Sequence, residues 1–241
     1  MRPDEDDEFG VPFPGVELPG DRWTRTGLKD DGLPFDWAAR FGREAPRVLD
    51  LGCGNGRFLI ASALARPTHD HLGIEAVQRS ADWAAQRGNR RGLTNVRFVT
   101  ADVHDWMFGR LAATSADEVH IYHPQPCYEK DPEAKRLLTP EFLTRVWEVL
   151  RPGGILVLQT DNQAYWRYLR KAVPFRFEVS LRPQPWPDAP EGRTRREIFA
   201  RKKGLAVWRM VATRLETPLP GDPPRPDFDA NRPRFQVKSR P

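Results

Sequence analysis

The 241-residue sequence has little cysteine, no long apolar run and no basic start of the kind that secreted chains carry. Its two cysteines, Cys53 and Cys127, lie far apart, which argues against a disulfide framework and against a cysteine-rich metal site. No apolar stretch reaches the about 18 residues of a membrane-spanning helix. The first residues, MRPDEDDEFG, are acidic where a signal peptide would be basic and then apolar. We therefore expect a soluble cytoplasmic protein without a metal.

Charge is distributed unevenly along the chain, whose formal net charge is +5 at neutral pH. Residues 4 to 8 are all acidic, whereas residues 192–203, GRTRREIFARKK, contain six arginines and lysines against one glutamate. Such a cluster attracts phosphate groups, so the basic segment 193–203 is a candidate for contacts with a nucleic-acid backbone. The alternative is that these residues form the solvated face of a strand.

Proline, with 24 copies, marks irregular segments at both ends of the chain. Residues 1–34 combine an acidic start with a segment rich in proline and glycine, so we expect a loosely attached extension there. Residues 35–214 have the length of one ordinary domain, which is roughly 100 to 250 residues. Residues 215–241 are expected to form a disordered or draped tail.

Short apolar runs alternate with segments of helical spacing in the central part of the chain. The runs VLDL, HLGIEA, NVRFVTAD, ADEVHIYH and GGILVLQTD predict strands, and helices are predicted between them. This alternation predicts a doubly wound α/β fold with parallel strands. Near the end, FRFEVSL and the pair around REIFARKKGLAVWRMVATR, with Lys203 and Gly204 as a turn, are interpreted as antiparallel strands. The expected fold is a seven-stranded, mostly parallel sheet with an antiparallel C-terminal pair.

The stretch VLDLGCGNG places Gly52, Gly54 and Gly56 at the carboxyl end of the first of these strands. An open parallel sheet has its ligand crevice at this end, and glycines allow backbone N–H groups to approach a ligand closely. A dinucleotide fingerprint would read G-x-G-x-x-G, and here the third glycine comes one position earlier. The spacing therefore favours a loop that binds S-adenosylmethionine over one that binds NAD.

Three acidic residues at strand ends support the same cofactor. Glu75 ends the second strand, where its carboxylate can accept from both ribose hydroxyls, and Asp102 ends the third, where it can accept from the adenine amino group. Asp50 is placed to receive the ammonium of the methionine moiety through water or backbone contacts. The alternative is that these acids only cap neighbouring helices.

At this point the sequence resembles a known family. The stretches FLTRVWEVLRPGGILVLQTDNQAYWRYL and KRLLTPEFL, together with the Pro-x-Pro of HIYHPQPCYEKD, resemble the bacterial tRNA (guanine-N7-)-methyltransferases from about residue 46 to 210. In that family the motif after the fourth strand reads Pro-Asp-Pro-Trp-Pro-Lys. Here it reads PQPCYE, so that Gln125, Cys127 and Glu129 replace the acid, the tryptophan and the lysine. The resemblance implies a class I methyltransferase domain that acts on tRNA, as a monomer or homodimer.

Two further signatures of the family are better preserved. QTDNQAY matches its Thr-Asp followed by an aromatic residue, which implies that Thr160 and Asp161 lie in the guanine pocket. RTRREIF matches its Thr-x-x-Glu, which implies that Thr194 and Glu197 lie there too. By this resemblance Gln125 and Asp161 are the candidate catalytic residues, and Glu129, Asp161, Thr194 and Glu197 are the candidate substrate-binding residues.

The chemistry of guanine makes these residue types sensible independently of the family. Guanine presents N7 and O6 as acceptors on one edge and two donor groups on the other, so a carboxylate can bind the donor edge while N7 faces the methyl donor. N7 has a free lone pair, and its methylation therefore needs alignment and charge stabilisation rather than proton removal. Glutamine at position 125 keeps hydrogen bonds but loses charge. Methylation of another substrate, or a non-catalytic relative that only binds cofactor or RNA, therefore stays open as an alternative.

Aromatic residues near these motifs have two interpretations. Tyr165 and Trp166 follow Asp161 and are candidates for stacking on a flipped base. His120 lies on an alternating strand and is expected to be a packed side chain rather than a pocket residue.

Overall fold

The computed structural model describes residues 7–125 and 137–225 of the chain. Its strands are β1 Asp7–Glu8, β2 Val11–Pro12, β3 Gly27–Leu28, β4 Arg47–Leu51, β5 Asp70–Glu75, β6 Val96–Thr100, β7 Ala116–Tyr122, β8 Leu150–Thr160, β9 Phe177–Leu181 and β10 Trp208–Arg214. Its helices are α1 Trp37–Phe41, α2 Arg57–Ala65, α3 Gln78–Arg90, α4 Val103–Gly109, α5 Pro140–Val149, α6 Gln163–Ala172 and α7 Arg195–Lys202.

The main sheet has the strand order β3-β6-β5-β4-β7-β8-β10-β9. The neighbours from β3 to β8 are parallel, whereas β10 is antiparallel to both β8 and β9. The predicted mostly parallel α/β sheet with an antiparallel C-terminal pair is thereby confirmed. In the described part of the chain the sheet has an eighth strand beyond the seven expected, because β3 of the N-terminal segment pairs with β6.

The sheet is covered by helices on both faces, which explains why its central strand is apolar in consecutive positions. Val48 of β4 belongs to a buried cluster with Leu59 of α2, on one face. Leu49 and Leu51 belong to a second cluster with Val146 of α5, on the other face. Successive side chains of a strand point to opposite faces, so β4 is held from both sides and its carboxyl end is fixed in position.

The predicted strand at REIFARK is wrong, because Arg195–Lys202 forms α7. The side chain of Thr194 accepts a hydrogen bond from the Glu197 N–H (3.1 Å), and the Glu197 carboxylate accepts one from the Arg193 N–H (2.8 Å). This pattern is a capping box shifted by one residue, and it satisfies N–H groups that have no partner inside the helix. The Thr-x-x-Glu spacing therefore marked a helix start, and the strand that pairs with β9 begins only at Trp208.

The N-terminal segment is packed more firmly than its composition predicts. Phe13 is 4% exposed and lies under the guanidinium groups of Arg87 (4.2 Å) and Arg91 (4.9 Å). Glu8 is buried and pairs with Arg57 on α2 at 3.0 Å. Proline and glycine prevent long regular elements in this segment, but they do not prevent individual side chains from being buried.

The expected tail is only partly described. Residues 215–225 lie on the domain, where the Leu215 N–H donates to the Arg176 carbonyl (3.0 Å) and the Leu219 N–H donates to the Phe175 carbonyl (2.9 Å). Residues 226–241 lie outside the described residues. Within the described ranges, no helix has the length and apolar character needed to cross a membrane.

Candidate active site

A cleft of about 980 Å³ opens beside the ends of β4, β7 and β8. The strand β4 lies between β5 and β7, so the chain leaves it in opposite directions, which is where open α/β sheets bind ligands. The cleft brings together several of the residues predicted from sequence, namely Asp50, Gly52, Gly54, Gln125, Asp161 and Thr194. Four others, Gly56, Glu75, Asp102 and Glu197, do not line it. Glu129 and Cys127 lie outside the described residues.

The glycine loop after β4 has two distinct functions. Gly52 and Gly54 have φ angles of 79° and 55°, and a Cβ atom added to either would enter open space. Gly56 has a φ of 80°, but an added Cβ would lie 2.8 Å from the Ala84 Cβ on α3. The first two glycines therefore leave the cleft open beside the backbone, whereas Gly56 allows α2 to approach α3.

Asp50 lines the cleft and has 2% of its surface exposed. Its Oδ1 atom has no hydrogen-bond partner among the described residues. Burial raises the pKa of this carboxyl well above its usual range, and the nearby Glu75 carboxylate raises it further. A buried carboxylate in this condition is stabilised by a cationic donor. Together with the space beside Gly52 and Gly54, Asp50 fits a ligand that carries an ammonium group, as S-adenosylmethionine does.

Glu75 and Asp102 both hold backbone groups. One Glu75 oxygen accepts from the Gly54 N–H (2.8 Å) and the other from the Val77 N–H (2.9 Å), which ties the glycine loop to the start of α3. Asp102 is the N-cap of α4, and its Oδ1 accepts from the His104 N–H (2.8 Å). For Asp102 the capping alternative is therefore observed. A carboxylate oxygen can accept a second bond, so the expected contacts with ribose and adenine stay predictions.

Asp161 is held in the cleft by donors on two sides. Its Oδ1 lies 2.9 Å from Nδ1 of His123, and its Oδ2 accepts from Nε (2.9 Å) and a terminal nitrogen (2.6 Å) of Arg196. Burial raises the pKa of Asp161, but the hydrogen bonds from His123 and Arg196 outweigh burial and lower the pKa to about 2. The Asp161 carboxylate is therefore charged throughout the neutral range.

His123 is oriented by Gln159 on β8. Trp186 and Arg209 can only donate, and both reach the Gln159 side-chain oxygen, at 2.5 Å and 3.1 Å. The Gln159 amide nitrogen therefore faces Nε2 of His123, at 2.8 Å. Since that nitrogen of His123 accepts, its Nδ1 carries the proton that is donated to Asp161. The position and charge of Asp161 thus depend on a chain of buried polar side chains.

Glu197 lies behind the cleft. Its Oε1 pairs with Arg209 on β10 at 2.5 Å, and both side chains are buried. Thr194 lines the cleft and caps α7. The Thr-x-x-Glu signature therefore fixes the first turn of α7, whose Arg195 and Arg196 line the cleft.

Comparison with known proteins identifies the family. Residues 44–210 match a family model described as "Putative methyltransferase". A tRNA (guanine-N(7)-)-methyltransferase from Halorhodospira halophila is 34% identical over 202 residues, which are 82% of this chain and 82% of that protein. Another, from Nitrosococcus oceani, is 30% identical over 186 residues, covering 77% of this chain and 79% of that protein.

The chain belongs to the tRNA (guanine-N(7)-)-methyltransferase family. Membership confirms the resemblance seen in the sequence and makes the protein a methyltransferase. The fold agrees, because the structure of an aminoglycoside resistance methyltransferase superimposes with a TM-score of 0.54 at 19% identity, covering 73% of this chain and 91% of that one.

Within this methyltransferase, the loop after β7 is where the sequence departs from the family motif. Pro124 and Gln125 line the cleft, so the residue that replaces the motif's aspartate does face the site. Among the described residues that line the cleft, the carboxylates are Asp50 and Asp161. Asp161 is therefore the acid available on the substrate side of the cleft, opposite the glycine loop in the sheet order.

Several residues that line the cleft were missed by sequence reasoning. Phe9, at the turn between β1 and β2, lies 5.6 Å from Phe199 on α7, and the guanidinium of Arg195 lies 5.0 Å from the Phe9 ring. Lys202 also donates to the Phe9 carbonyl. The turn at Phe9 and Gly10, with φ angles of 57° and 80°, has the conformation of a two-residue hairpin. Only the glycine of this turn signalled it in the sequence.

The aromatic predictions have mixed outcomes. His120 is confirmed as a packed side chain, since it is buried between Glu118 (2.9 Å) and the Tyr122 hydroxyl (3.0 Å). Stacking of Tyr165 or Trp166 on a base is wrong, because both side chains are buried in the core beneath α6. Alternation along α6 turns them away from the cleft, whereas Phe9 and Phe199 present rings to it.

Proposed function

We propose that this methyltransferase transfers the methyl group of S-adenosylmethionine to N7 of a guanine in tRNA. The observation that carries the proposal is the charged Asp161 carboxylate, fixed by His123 and Arg196 in the same cleft as the glycine loop. A carboxylate is the group that recognises the donor edge of guanine, and it is placed here beside a site that fits the methyl donor.

S-adenosylmethionine is the cofactor, and it supplies a methyl group on a positively charged sulfur. Asp50 would hold its ammonium group, and the open backbone at Gly52 and Gly54 would accommodate its methionine moiety. Glu75 and Asp102 are proposed for the ribose hydroxyls and the adenine amino group, through acceptor positions beyond those they already use. The structural role of Gly56 is to let the loop and α3 close together.

Asp161 would bind the donor edge of the guanine base and so turn N7 towards the methyl donor. Because N7 already has a lone pair, this geometry supplies most of what the reaction requires, and no general base is needed. The negative charge of Asp161 also stabilises the positive charge that develops on the ring during transfer. Gln125 would contribute hydrogen bonds without charge.

The first turn of α7 and the basic residues that follow it would contact the RNA. Thr194 lines the cleft, and the segment 193–203 brings a cluster of arginines and lysines to the same side. Glu197 is a positioning residue in this proposal, because it holds the start of α7 against β10. Glu129, outside the described residues, is proposed as one further substrate contact. A tRNA substrate places the enzyme in the cytoplasm.

The test measures transfer of labelled methyl from S-adenosylmethionine to bulk tRNA, followed by mass spectrometry of the nucleosides. We expect 7-methylguanosine with the wild type and a higher rate with Gln125→Asp, which restores the charge of the family motif. Asp161→Asn should lower kcat/KM by about 10²- to 10³-fold, the usual effect of removing one electrostatic contact to the transition state. The proposal fails if neither the wild type nor Gln125→Asp labels tRNA while both still bind S-adenosylhomocysteine. Label in a nucleoside other than 7-methylguanosine would show that a different position is modified.

A further inference from the structure

The ion pair between Asp161 and Arg196 is asymmetric in exposure. The Asp161 side chain is 11% exposed, whereas the Arg196 side chain is 53% exposed. Both donating nitrogens of Arg196 reach the same carboxylate oxygen, Oδ2. The carboxylate therefore belongs to the cleft wall, and the guanidinium covers it from the solvent side.

This arrangement conflicts with recognition of a base by Asp161. The donor edge of guanine carries two donor groups, and each needs an acceptor. In the free protein Oδ1 of Asp161 accepts from His123 and Oδ2 accepts from Arg196. His123 is buried and is itself fixed by Gln159, so it does not withdraw easily. Arg196 is the partner that can leave.

The surroundings of Arg196 supply a reason for it to leave. An exposed ion pair contributes little, whereas an arginine and a phosphate form strong paired hydrogen bonds. Arg195 lies next to it and also lines the cleft, and Lys202 and Lys203 follow at the end of the same helix. The Arg196 guanidinium lies 5.4 Å from the Phe199 ring, which gives it a surface over which to move. A backbone phosphate attracted to this cluster competes directly with Asp161 for Arg196.

We infer that Arg196 determines substrate specificity: it masks the base-binding oxygen of Asp161 in the free protein and leaves it for a backbone phosphate of the RNA. Recognition of the guanine base is thereby made conditional on the phosphates around it. A nucleoside without phosphates meets a covered carboxylate, whereas an RNA uncovers it on binding. This inference rests on the proposed function, because it assigns a control to the same guanine site.

The experiment compares kcat/KM for methyl transfer to a tRNA transcript and to free guanosine. The variants are Arg196→Gln, which removes the charge but retains the side-chain length, and Arg195→Gln, which removes the same charge one residue away without touching Asp161. Arg196→Lys keeps a charge but not the two-nitrogen contact with Oδ2. Binding of S-adenosylhomocysteine reports whether each variant is folded.

For Arg196→Gln we expect opposite changes with the two substrates. Its efficiency with tRNA falls, while its efficiency with guanosine rises about fivefold, the change that loss of one exposed ion pair corresponds to. Arg195→Gln should lower the efficiency with tRNA only, and Arg196→Lys should lie between wild type and Arg196→Gln with guanosine.

The outcomes separate this inference from the proposed function. If the wild type methylates tRNA but Arg196→Gln leaves guanosine transfer unchanged, Arg196 is a phosphate contact only, and the inference is overturned. A loss with both substrates in the folded variant assigns Arg196 to holding Asp161 and overturns it as well. If the wild type transfers no methyl to tRNA, the proposed function fails and the inference fails with it.

Discussion

Glu197 and Arg209 form an ion pair in which the two side chains are only 0% and 4% exposed. The second oxygen of Glu197 accepts from the Arg193 N–H at the start of α7, so a single carboxylate joins this helix to β10. Arg209 also donates to Gln159, which orients His123 and, through it, Asp161. The helix start and the acid of the cleft are therefore positioned from the same buried pair.

Removal of the Glu197 carboxylate should destabilise the whole domain. We expect Glu197→Ala to lower the free energy of unfolding by about 3–5 kcal/mol, because Arg209 is left as a buried charge without its partner. The control is Glu148→Ala, whose partner Arg145 lies on the same helix and whose own side chain is 44% exposed; its loss should stay below about 1 kcal/mol. Urea denaturation measures both. Equal small losses would mean that Glu197 contributes to substrate contact rather than to the fold.

Two glycines of the same loop should respond differently to alanine. Gly52 and Gly56 have nearly equal positive φ angles, so both variants incur a backbone strain of about 1–2 kcal/mol. In Gly56→Ala the new Cβ also collides with Ala84, so thermal stability should fall further than in Gly52→Ala. In Gly52→Ala the Cβ enters the cleft, so the affinity for S-adenosylhomocysteine should fall instead. Thermal unfolding and calorimetric titration distinguish the two effects, and the same ranking in both assays would contradict the division of labour.

Asp50→Asn should stabilise the protein without cofactor and weaken cofactor binding. The pKa of Asp50 is raised on folding, mainly by burial, so its ionised form costs stability once the pH exceeds the unfolded value of about 3.9. Asparagine removes that cost, and we expect a higher melting temperature for the unliganded variant at pH 7. The loss of the charge should lower the affinity for S-adenosylhomocysteine by tenfold or more, on the order of one charge-assisted hydrogen bond. Asp161→Asn, in the same cleft, is the control that should leave this affinity unchanged.

His71 should make the protein sensitive to mild acid. Burial, assisted by the nearby Arg66 charge, lowers the pKa of His71 to about 3. Below pH of about 6.5 the unfolded chain binds a proton at this histidine that the folded chain does not, so the free energy of unfolding falls by up to about 1.4 kcal/mol per pH unit. In urea denaturation between pH 7 and pH 5, His71→Asn should show a shallower decline than wild type. The exposed neighbour offers the comparison His69→Asn, which should decline as wild type does, and identical slopes for all three would refute the assignment.

The parts of the fold that could be predicted from the sequence are those with a local signal. The glycine loop follows β4 directly, and the apolar runs that form the parallel strands are continuous in sequence, so both were found. The REIFARK segment has no apolar stripe to distinguish helix from strand, and its Thr194-x-x-Glu197 spacing was interpreted as a substrate signature when it is first of all a helix start.

Contacts between distant parts of the chain could not be predicted. Glu8 meets Arg57 across 49 positions, and Lys202 meets the Phe9 carbonyl across 193. Nothing in a window of neighbouring residues specifies such a partner, because the pairing depends on how the completed sheet brings the two segments together. The positions of His123 and Arg196 around Asp161 belong to the same class, and they distinguish this cleft from a generic one.

The contacts at Phe9 also determine when the cleft can be completed during synthesis. Phe9 leaves the ribosome among the first residues, but Phe199 and Lys202, which hold it, are made after almost the whole sheet. Domains made on the ribosome fold as the chain emerges. The cleft wall formed by the hairpin therefore closes last, and a nascent or truncated chain that ends before α7 contains the glycine loop but not a finished site.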